Sequence, residues 1–147
     1  MCVFCKIIKR EEEGYIVYQD EYFTSFLDKY PVAPGHTLIA TNKHFEDLLK
    51  VDGIYLQKIG EIIKLIGNAV IRAMKADGIR VVSNIGRSAG QVIFHTHIHI
   101  VPSWEAGIPK EFSDFRPRVE LPKSYYTKVQ KMISEEIIKQ LGKVSDT

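Results

Sequence analysis

Residues 95–101 read His95-Thr96-His97-Ile98-His99-Ile100-Val101, imidazoles alternating with β-branched or apolar side chains. A β-strand repeats every two residues, so this order places His95, His97 and His99 on one face and Thr96, Ile98 and Ile100 on the other. A helix would scatter the rings, because positions two apart on a helix do not face each other. Val92, Ile93 and Phe94 also favour extended backbone, and the pattern predicts a strand over residues 92–101 that Pro102 ends. Three rings in register concentrate groups that titrate near neutral pH, which points to a site rather than to packing. A metal site competes with that reading, since a His-x-His pair on a strand can place two rings on one zinc ion. All three cannot chelate together: residues 95 and 99 lie about 13 Å apart at roughly 3.3 Å per residue, whereas zinc holds nitrogen at about 2.0 to 2.1 Å. At least one ring is left for other work.

Directly upstream lies Ser83-Asn84-Ile85-Gly86-Arg87-Ser88-Ala89-Gly90-Gln91. Two glycines with an Asn and a Ser permit left-handed backbone, and such backbone turns successive N–H groups inward around an anion. The composition also suits an ordinary turn, but leading into three facing histidines it reads as a phosphate cradle. Arg87 offers it a positive charge, although an exposed surface arginine is the commoner case.

The rest of the composition narrows the class. A chain of 147 residues with 45% hydrophobic content makes one domain, spanning 1–147, with a sizeable core. A formal charge of +2 provides no polyanion-binding surface, so long nucleic acid is not an expected partner. No apolar run approaches a membrane span of about 18 residues, and there are no repeats. With two cysteines, Cys2 and Cys5, and no secretory leader before them, a reducing, cytoplasmic setting is expected rather than a disulfide framework. Cys2-x-x-Cys5 does not follow a strand as the thioredoxin type does; it could equally be half of a tetrahedral zinc site that needs two further ligands.

Strands are expected near 15–19 and 22–27, joined by an Asp20-Glu21 turn, and near 36–40 after a loop containing Pro and Gly. A short helix is expected near 43–49, then a long one over 54–76. There Leu56, Ile59, Ile63, Ile66, Val70 and Ala73 recur at spacings of three and four, behind an Asp52 N-cap and ahead of an Asp77-Gly78 stop. Strands near 79–83 and 92–101 complete a five-stranded antiparallel sheet. Residues 105–122 read as an extended loop, and 124–141 as a last helix with Gly142 behind it and Tyr125, Val129, Met132, Ile133, Ile137 and Leu141 on one face. The fold class is α+β.

The run Asn84-x-Gly86-x-x-Ala89-Gly90-Gln91-x-x-x-His95-x-His97-x-His99-x-x-Pro102 resembles the signature of the histidine-triad (HIT) superfamily of nucleotide hydrolases and transferases. Phe26-Leu27-Asp28, the block from Pro31 to Ile39, Lys43-His44 and Cys2-x-x-Phe4-Cys5-Lys6-Ile7-Ile8 are similar to that family's upstream elements, so the likeness covers residues 2–102 and leaves 103–147 as an extension. Asn84 resembles the nucleoside phosphoramidase (Hint-like) branch. The resemblance implies the family's α+β fold and a purine nucleotide substrate cleaved at the α-phosphorus, as a phosphoramidate, phosphosulfate or dinucleoside polyphosphate. It implies His97 as a nucleophile that forms a covalent nucleotidyl-imidazole, His99 with the N–H groups around Gly90, Gln91 and Val92 as phosphoryl stabilisers, and His36 as a supporting ring. It puts Asn84 against the nucleotide, Asp28 on the ribose hydroxyls and Val3, Phe4, Ile7 and Phe26 around the base. Family members that carry the cysteine pair hold a structural Zn²⁺ with it, which here implies Cys2, Cys5, His44 and His95. Such members are homodimers that pair the long helix and the neighbouring strand.

Two positions depart from the pattern. Val92 stands where many members carry Ser or Thr, so the leaving-group side lacks a hydroxyl, and Ser103-Trp104 comes after Pro102 where the dinucleoside polyphosphate branch has Arg. Trp104 either closes over the site or packs on the surface. Beside the hydrolase, two other functions are open from the residues: a metallohydrolase using His95 and His97 on zinc, and a nucleotide-binding module with little catalysis.

Overall fold

A computed structural model describes residues 2–145; Met1 and residues 146–147, the ends of the expected 1–147 domain, lie outside the described residues. The elements run α1 (Val3–Ile8), β1 (Ile16–Gln19), β2 (Phe23–Leu27), β3 (Thr37–Thr41), α2 (Gly53–Met74), β4 (Gly78–Val82), β5 (His97–Ser103) and α3 (Lys123–Ser145). The strands form a five-stranded sheet in the order β1-β2-β3-β5-β4, antiparallel at every step. Helices complete the expected α+β architecture.

Period-two alternation sorts the sheet's side chains onto two faces. Phe23, Leu27, Ile39, Ile98 and Ile100 join Ile62, Ile66 and Val70 of α2 and Val129, Ile133 and Ile137 of α3 in the main core. Ile66, Val70, Val129 and Ile133 are fully buried, and each such side chain contributes about 1.5 to 3 kcal/mol. Phe26, Leu38 and Ala40 face the other way and pack with Phe4 and Ile7 of α1. The second face, with no long helix over it, carries the histidines.

Several elements differ from the sequence expectation, each for an identifiable reason. The last strand begins at His97, not residue 92, because Thr96 gives its N–H to the Phe45 carbonyl at 2.7 Å and its hydroxyl to the same atom at 3.0 Å. Pro102 does not end the strand. It pairs with Ile79 beyond the point where β3 stops, the β3 register closing at Thr37–Ile100, and a strand with a neighbour on one side only tolerates a residue lacking N–H. The helix expected over 43–49 is reduced to a 3-10 turn, Leu48–Lys50, capped by Asp47. The carbonyls such a helix needs are already taken, Lys43 by the Thr41 hydroxyl, Phe45 by Thr96 and Glu46 by the Gln91 amide.

The long helix starts after Asp52, although the Asp52 side chain makes no cap bond. It ends at Met74, with Lys75 in the left-handed region at φ 53°; Gly78 opens β4 instead of stopping the helix. Leu56 is 53% exposed rather than in the core. The last helix continues through Gly142 to Ser145, and Leu141 lies outside the buried stripe. No element was expected over residues 3–8, yet α1 forms, its N-cap a thiol: Cys2 Sγ accepts the Cys5 N–H at 3.2 Å.

Candidate active site

His95, His97 and His99 form a row of rings. His97 and His99 have centroids 5.0 Å apart, and Phe4 of α1 meets His97 edge-on at 4.9 Å and His95 at 6.0 Å. The three rings share a face but differ in which nitrogen is occupied, and the hydrogen-bond partners assign the protons. The Thr41 carbonyl takes the Nε2–H of His95 at 2.6 Å, which leaves His95 Nδ1 as a lone pair. The His95 carbonyl takes the Nδ1–H of His97 at 2.6 Å, which leaves Nε2 of His97 as the lone pair. His36 Nδ1 accepts the Val32 N–H at 3.0 Å, so its proton sits on Nε2, 2.9 Å from Nδ1 of His99. His99 therefore accepts at Nδ1 and keeps Nε2–H as a donor.

Burial keeps all of these rings neutral. His97 is 9% exposed and His95 fully buried. Burial lowers the pKa of His36 and His97, and with the neighbouring imidazoles it brings His95 and His99 down to about 4. At pH 7 the row thus presents a lone pair at His95 turned toward Cys2, Cys5 and His44, a second at Nε2 of His97, and an N–H donor at His99.

Two further clusters flank His97. Asp28 lies with its Oδ2 at 3.4 Å from His36 Nε2 and 4.0 Å from His99 Nδ1, while its Oδ1 accepts the Tyr30 N–H at 2.8 Å. At the other end Cys2 Sγ, Cys5 Sγ, His44 Nδ1 and His95 Nδ1 converge. Their six separations run from 3.0 Å for the two sulfurs to 3.6 Å for Cys2 to His44. Tetrahedral zinc at about 2.3 Å to sulfur and 2.0 to 2.1 Å to nitrogen sets its ligand atoms roughly 3.3 to 3.8 Å apart, so the four fit such an ion after the sulfurs part by less than about 1 Å. The Thr41 carbonyl on the far nitrogen of His95 is the outer partner such a ligand requires.

The glycine-rich loop is built as a turn. Gly86 (φ 92°) and Gly90 (φ 97°) bracket the 3-10 turn Arg87–Ala89, in conformations a side chain would strain. Gly90 N–H bonds to the Arg87 carbonyl and Gln91 N–H to the Gly86 carbonyl, both within the loop. The buried Gln91 side chain ties Gly86 N–H to the carbonyls of Glu46 and Ile93. Gly90 and Gln91 thus spend their N–H groups on the loop's shape. Among the described residues no protein acceptor takes the Val92 N–H, and the Val92 side chain is exposed. Asn84 is half-buried, its amide nitrogen 3.4 Å from where a Cβ on Gly90 would lie.

Of the residues expected around the base, Phe4, Ile7 and Phe26 are buried together and Val3 is partly exposed beside them. Trp104 packs away from the histidines, its indole N–H on the Met74 carbonyl at 3.0 Å, where it secures the end of α2. Sequence reasoning missed the carbonyls of Thr41 and His95 and the Val32 N–H. Main-chain groups carry no residue-type signal, so nothing in the sequence marks them.

Comparison with known proteins identifies the family. The HIT domain family matches residues 9–106. A HIT-like protein of Saccharolobus solfataricus is 45% identical over 137 residues, 93% of this chain and 98% of its own. The adenosine 5'-monophosphoramidase of Saccharomyces cerevisiae is 32% identical over 135 residues, 88% of this chain and 83% of its own. A crystal structure of a hypothetical histidine triad nucleotide-binding protein from Sulfolobus tokodaii superposes with a TM-score of 0.90 at 52% identity, covering 94% of this chain and 93% of that one. A Zn-bound histidine triad family protein from Mycobacterium smegmatis gives a TM-score of 0.78 at 25% identity, covering 94% of each chain. The fold that carries the row of three imidazoles and the loop before it is shared with these proteins, and the chain belongs to the HIT family.

Proposed function

We propose that the protein cleaves a bond at the α-phosphorus of a purine nucleotide through a covalent nucleotidyl-His97 intermediate. One observation carries this reading: the His95 carbonyl holds the Nδ1–H of His97, so the neutral ring has its lone pair on Nε2 alone. Attack by Nε2 forms a nitrogen–phosphorus bond as the bond to the leaving amine, sulfate or nucleotide breaks, an amine taking its proton from solvent. Water then attacks phosphorus, the nitrogen–phosphorus bond breaks, a proton passes to solvent, and His97 returns neutral with release of a nucleoside monophosphate. The Nε2–H of His99 and the N–H of Val92 suit the phosphoryl oxygens, within the loop shaped by Gly90, Gln91 and Asn84. The free lone pairs of Asp28 suit a ribose diol, and the exposed part of Val3, with Phe4, Ile7 and Phe26 beneath, suits a base.

Zn²⁺ on Cys2, Cys5, His44 and His95 is the structural metal the donor set fits best, and the likeness to a Zn-bound family member supports it. The ion would fix α1 against the loop that carries His44 and supply no chemistry. A catalytic metal on His95 and His97 has no support, because His97 is absent from the converging cluster. The two thiols are free, in keeping with a reducing cytoplasm, and no helix among the described residues is long and apolar enough to cross a membrane. Exposed Ile54 and Leu56 on α2 and Val81 and Val82 on the edge strand β4 suit a homodimer through those elements.

The test is to quench turnover of adenosine phosphoramidate, adenosine phosphosulfate and diadenosine polyphosphate in alkaline denaturant, in which a nitrogen–phosphorus bond to imidazole survives, and map the adduct by mass spectrometry. The adduct is expected on His97, and His97→Ala should lower kcat at least about a thousandfold. Nucleotide binding with no turnover across the panel would make the protein a binding module instead.

A further inference from the structure

The family match ends at residue 106, and the C-terminal extension beyond it reaches back to the site through one stretch of main chain. Residues 29–35 link β2, which delivers Asp28, to β3, which His36 precedes. This span is closed at its ends by the Asp28 N–H on the His36 carbonyl at 3.1 Å. Tyr30 N–H and Val32 N–H bond to Asp28 and His36 at its flanks, and three further main-chain groups, the Lys29 and Pro31 carbonyls and the Gly35 N–H, are answered by the extension. Tyr126 donates its hydroxyl proton to the Lys29 carbonyl at 2.6 Å and accepts the Leu121 N–H at 2.9 Å. Tyr125 Oη accepts the Gly35 N–H at 2.9 Å, and Arg118 gives its N–H to the Pro31 carbonyl at 2.8 Å. Among the described residues, no other group takes the Lys29 or Pro31 carbonyl.

The phenols are themselves fixed. Tyr126 stacks on Tyr15 with centroids 4.9 Å apart, and Tyr125 stands against Phe112, Phe115 and Tyr126. Both sit at the start of α3, whose Val129, Ile133 and Ile137 are set in the main core. By contrast, the exposed Lys29–Glu120 ion pair between the same two segments adds little restraint. The held span contains the Val32 N–H that decides which nitrogen of His36 is protonated, and His36 in turn decides His99.

We infer that Tyr125 and Tyr126 are positioning residues: their hydroxyls hold residues 29–35 and thereby keep the proton of His99 on Nε2, facing the phosphoryl group. The catalytic consequence rests on the proposed chemistry at His97; the tautomer consequence does not. A 1 Å misplacement of a supporting group can cost catalysis as much as about a hundredfold without changing ground-state binding.

The experiment compares wild type with Tyr125→Phe, Tyr126→Phe and the double variant, which keep the rings and remove the hydroxyls, and with Glu120→Gln as the surface control. Imidazole ¹H–¹⁵N correlation spectra are expected to show His36 and His99 each as a single tautomer in wild type and Glu120→Gln, and as mixtures in the double variant. With a phosphoramidate substrate, kcat should fall about tenfold in the double variant while KM stays within about twofold. Unchanged tautomers and unchanged kcat in a folded double variant, even with a lowered melting temperature, would overturn the inference and leave the tyrosines as a structural staple. Should the double variant not fold, the two single variants carry the same measurements. A wild type that turns over nothing would sink the proposed reaction instead, and the spectra alone would then decide the tyrosines' role.

Discussion

His97 stands between two polar clusters made from similar parts and built for opposite ends. On one side, Cys2, Cys5, His44 and His95 aim four ligand atoms at a common point. On the other, Asp28, His36 and His99 line up donor to acceptor with no sulfur among them. Both clusters contain a triad imidazole with a pKa lowered to about 4, so burial does not tell them apart. What does is the partner of the ring's other nitrogen. A main-chain carbonyl on Nε2 makes His95 an electron-pair donor at Nδ1, whereas the Nε2–H of His36 on Nδ1 makes His99 a proton donor at Nε2. Three rings of one residue type, two apart in sequence, thus differ in which nitrogen carries the proton and what it faces, His95 and His99 through groups from elsewhere in the chain and His97 through the carbonyl two residues before it.

The contrast between the clusters is most open to test at the metal end. If Zn²⁺ fills the first cluster, its binding is part of folding, because the unfolded chain has no such site. Purified protein should contain close to one zinc per chain. Chelation, or a Cys2→Ser, Cys5→Ser double variant, should lower the melting temperature by on the order of 10 °C, as a loss of about 3 kcal/mol does in a domain of this size. The same treatment should move kcat far less, since the His97 tautomer depends on the His95 carbonyl rather than its ring. Metal-free native protein, with an unchanged calorimetric transition after chelation, would remove the distinction between the clusters.

How much of this is written in the residue order differs between the two ends as well. The alternation from His95 to Ile100 announces a strand with its rings on one side, and Ile98 and Ile100 do enter the core opposite the histidines. The metal set gathers residues from three separated stretches, and only resemblance to a family joined them. The start of β5 and the missing helix before α2 were illegible for a shared reason: Thr96 and Gln91 claim carbonyls of residues 45 and 46, a long-range choice no local propensity encodes. Helix α1 was hidden because a thiol caps it and its apolar residues, Phe4 and Ile7, make only one turn of pattern. Gly90 and Gln91 read as donors to a phosphate, but a loop composition cannot say which N–H groups the loop itself consumes.

Acid probes the relay end. His99 takes a proton at about 4 in the folded chain and near 6.5 when unfolded, so between those values the unfolded state binds more protons. Stability contributed by keeping this ring neutral is full above about pH 6.5 and is lost as the pH falls toward 4, with a slope of up to about 1.4 kcal/mol per pH unit. His36 and His97, lowered by the same burial, act in the same direction. Urea denaturation at a series of pH values should show that decline, and His99→Gln should flatten it. A His99→Gln profile parallel to wild type would mean that folding does not lower the pKa of this ring.

The smallest effect is expected at Val92, which belongs to neither cluster. Val92 is 82% exposed, and of the three N–H groups expected to face a phosphate its own is the one left over after those of Gly90 and Gln91 have bonded internally. Val92→Ser keeps that N–H and the backbone while adding a hydroxyl, which under the proposed reaction lies on the leaving-group side, and it should leave folding within about 0.5 kcal/mol, as surface substitutions do. Because His97 and the His99 proton are untouched, kcat for a good leaving group such as sulfate should change by less than about threefold. A poorer leaving group gains more from an added hydrogen bond, and about 1 kcal/mol there is a roughly fivefold rise in kcat/KM. The ratio of phosphoramidate to phosphosulfate turnover is therefore the quantity to measure. An equal change for both substrates would place the residue on the phosphoryl oxygens rather than beside the group that departs.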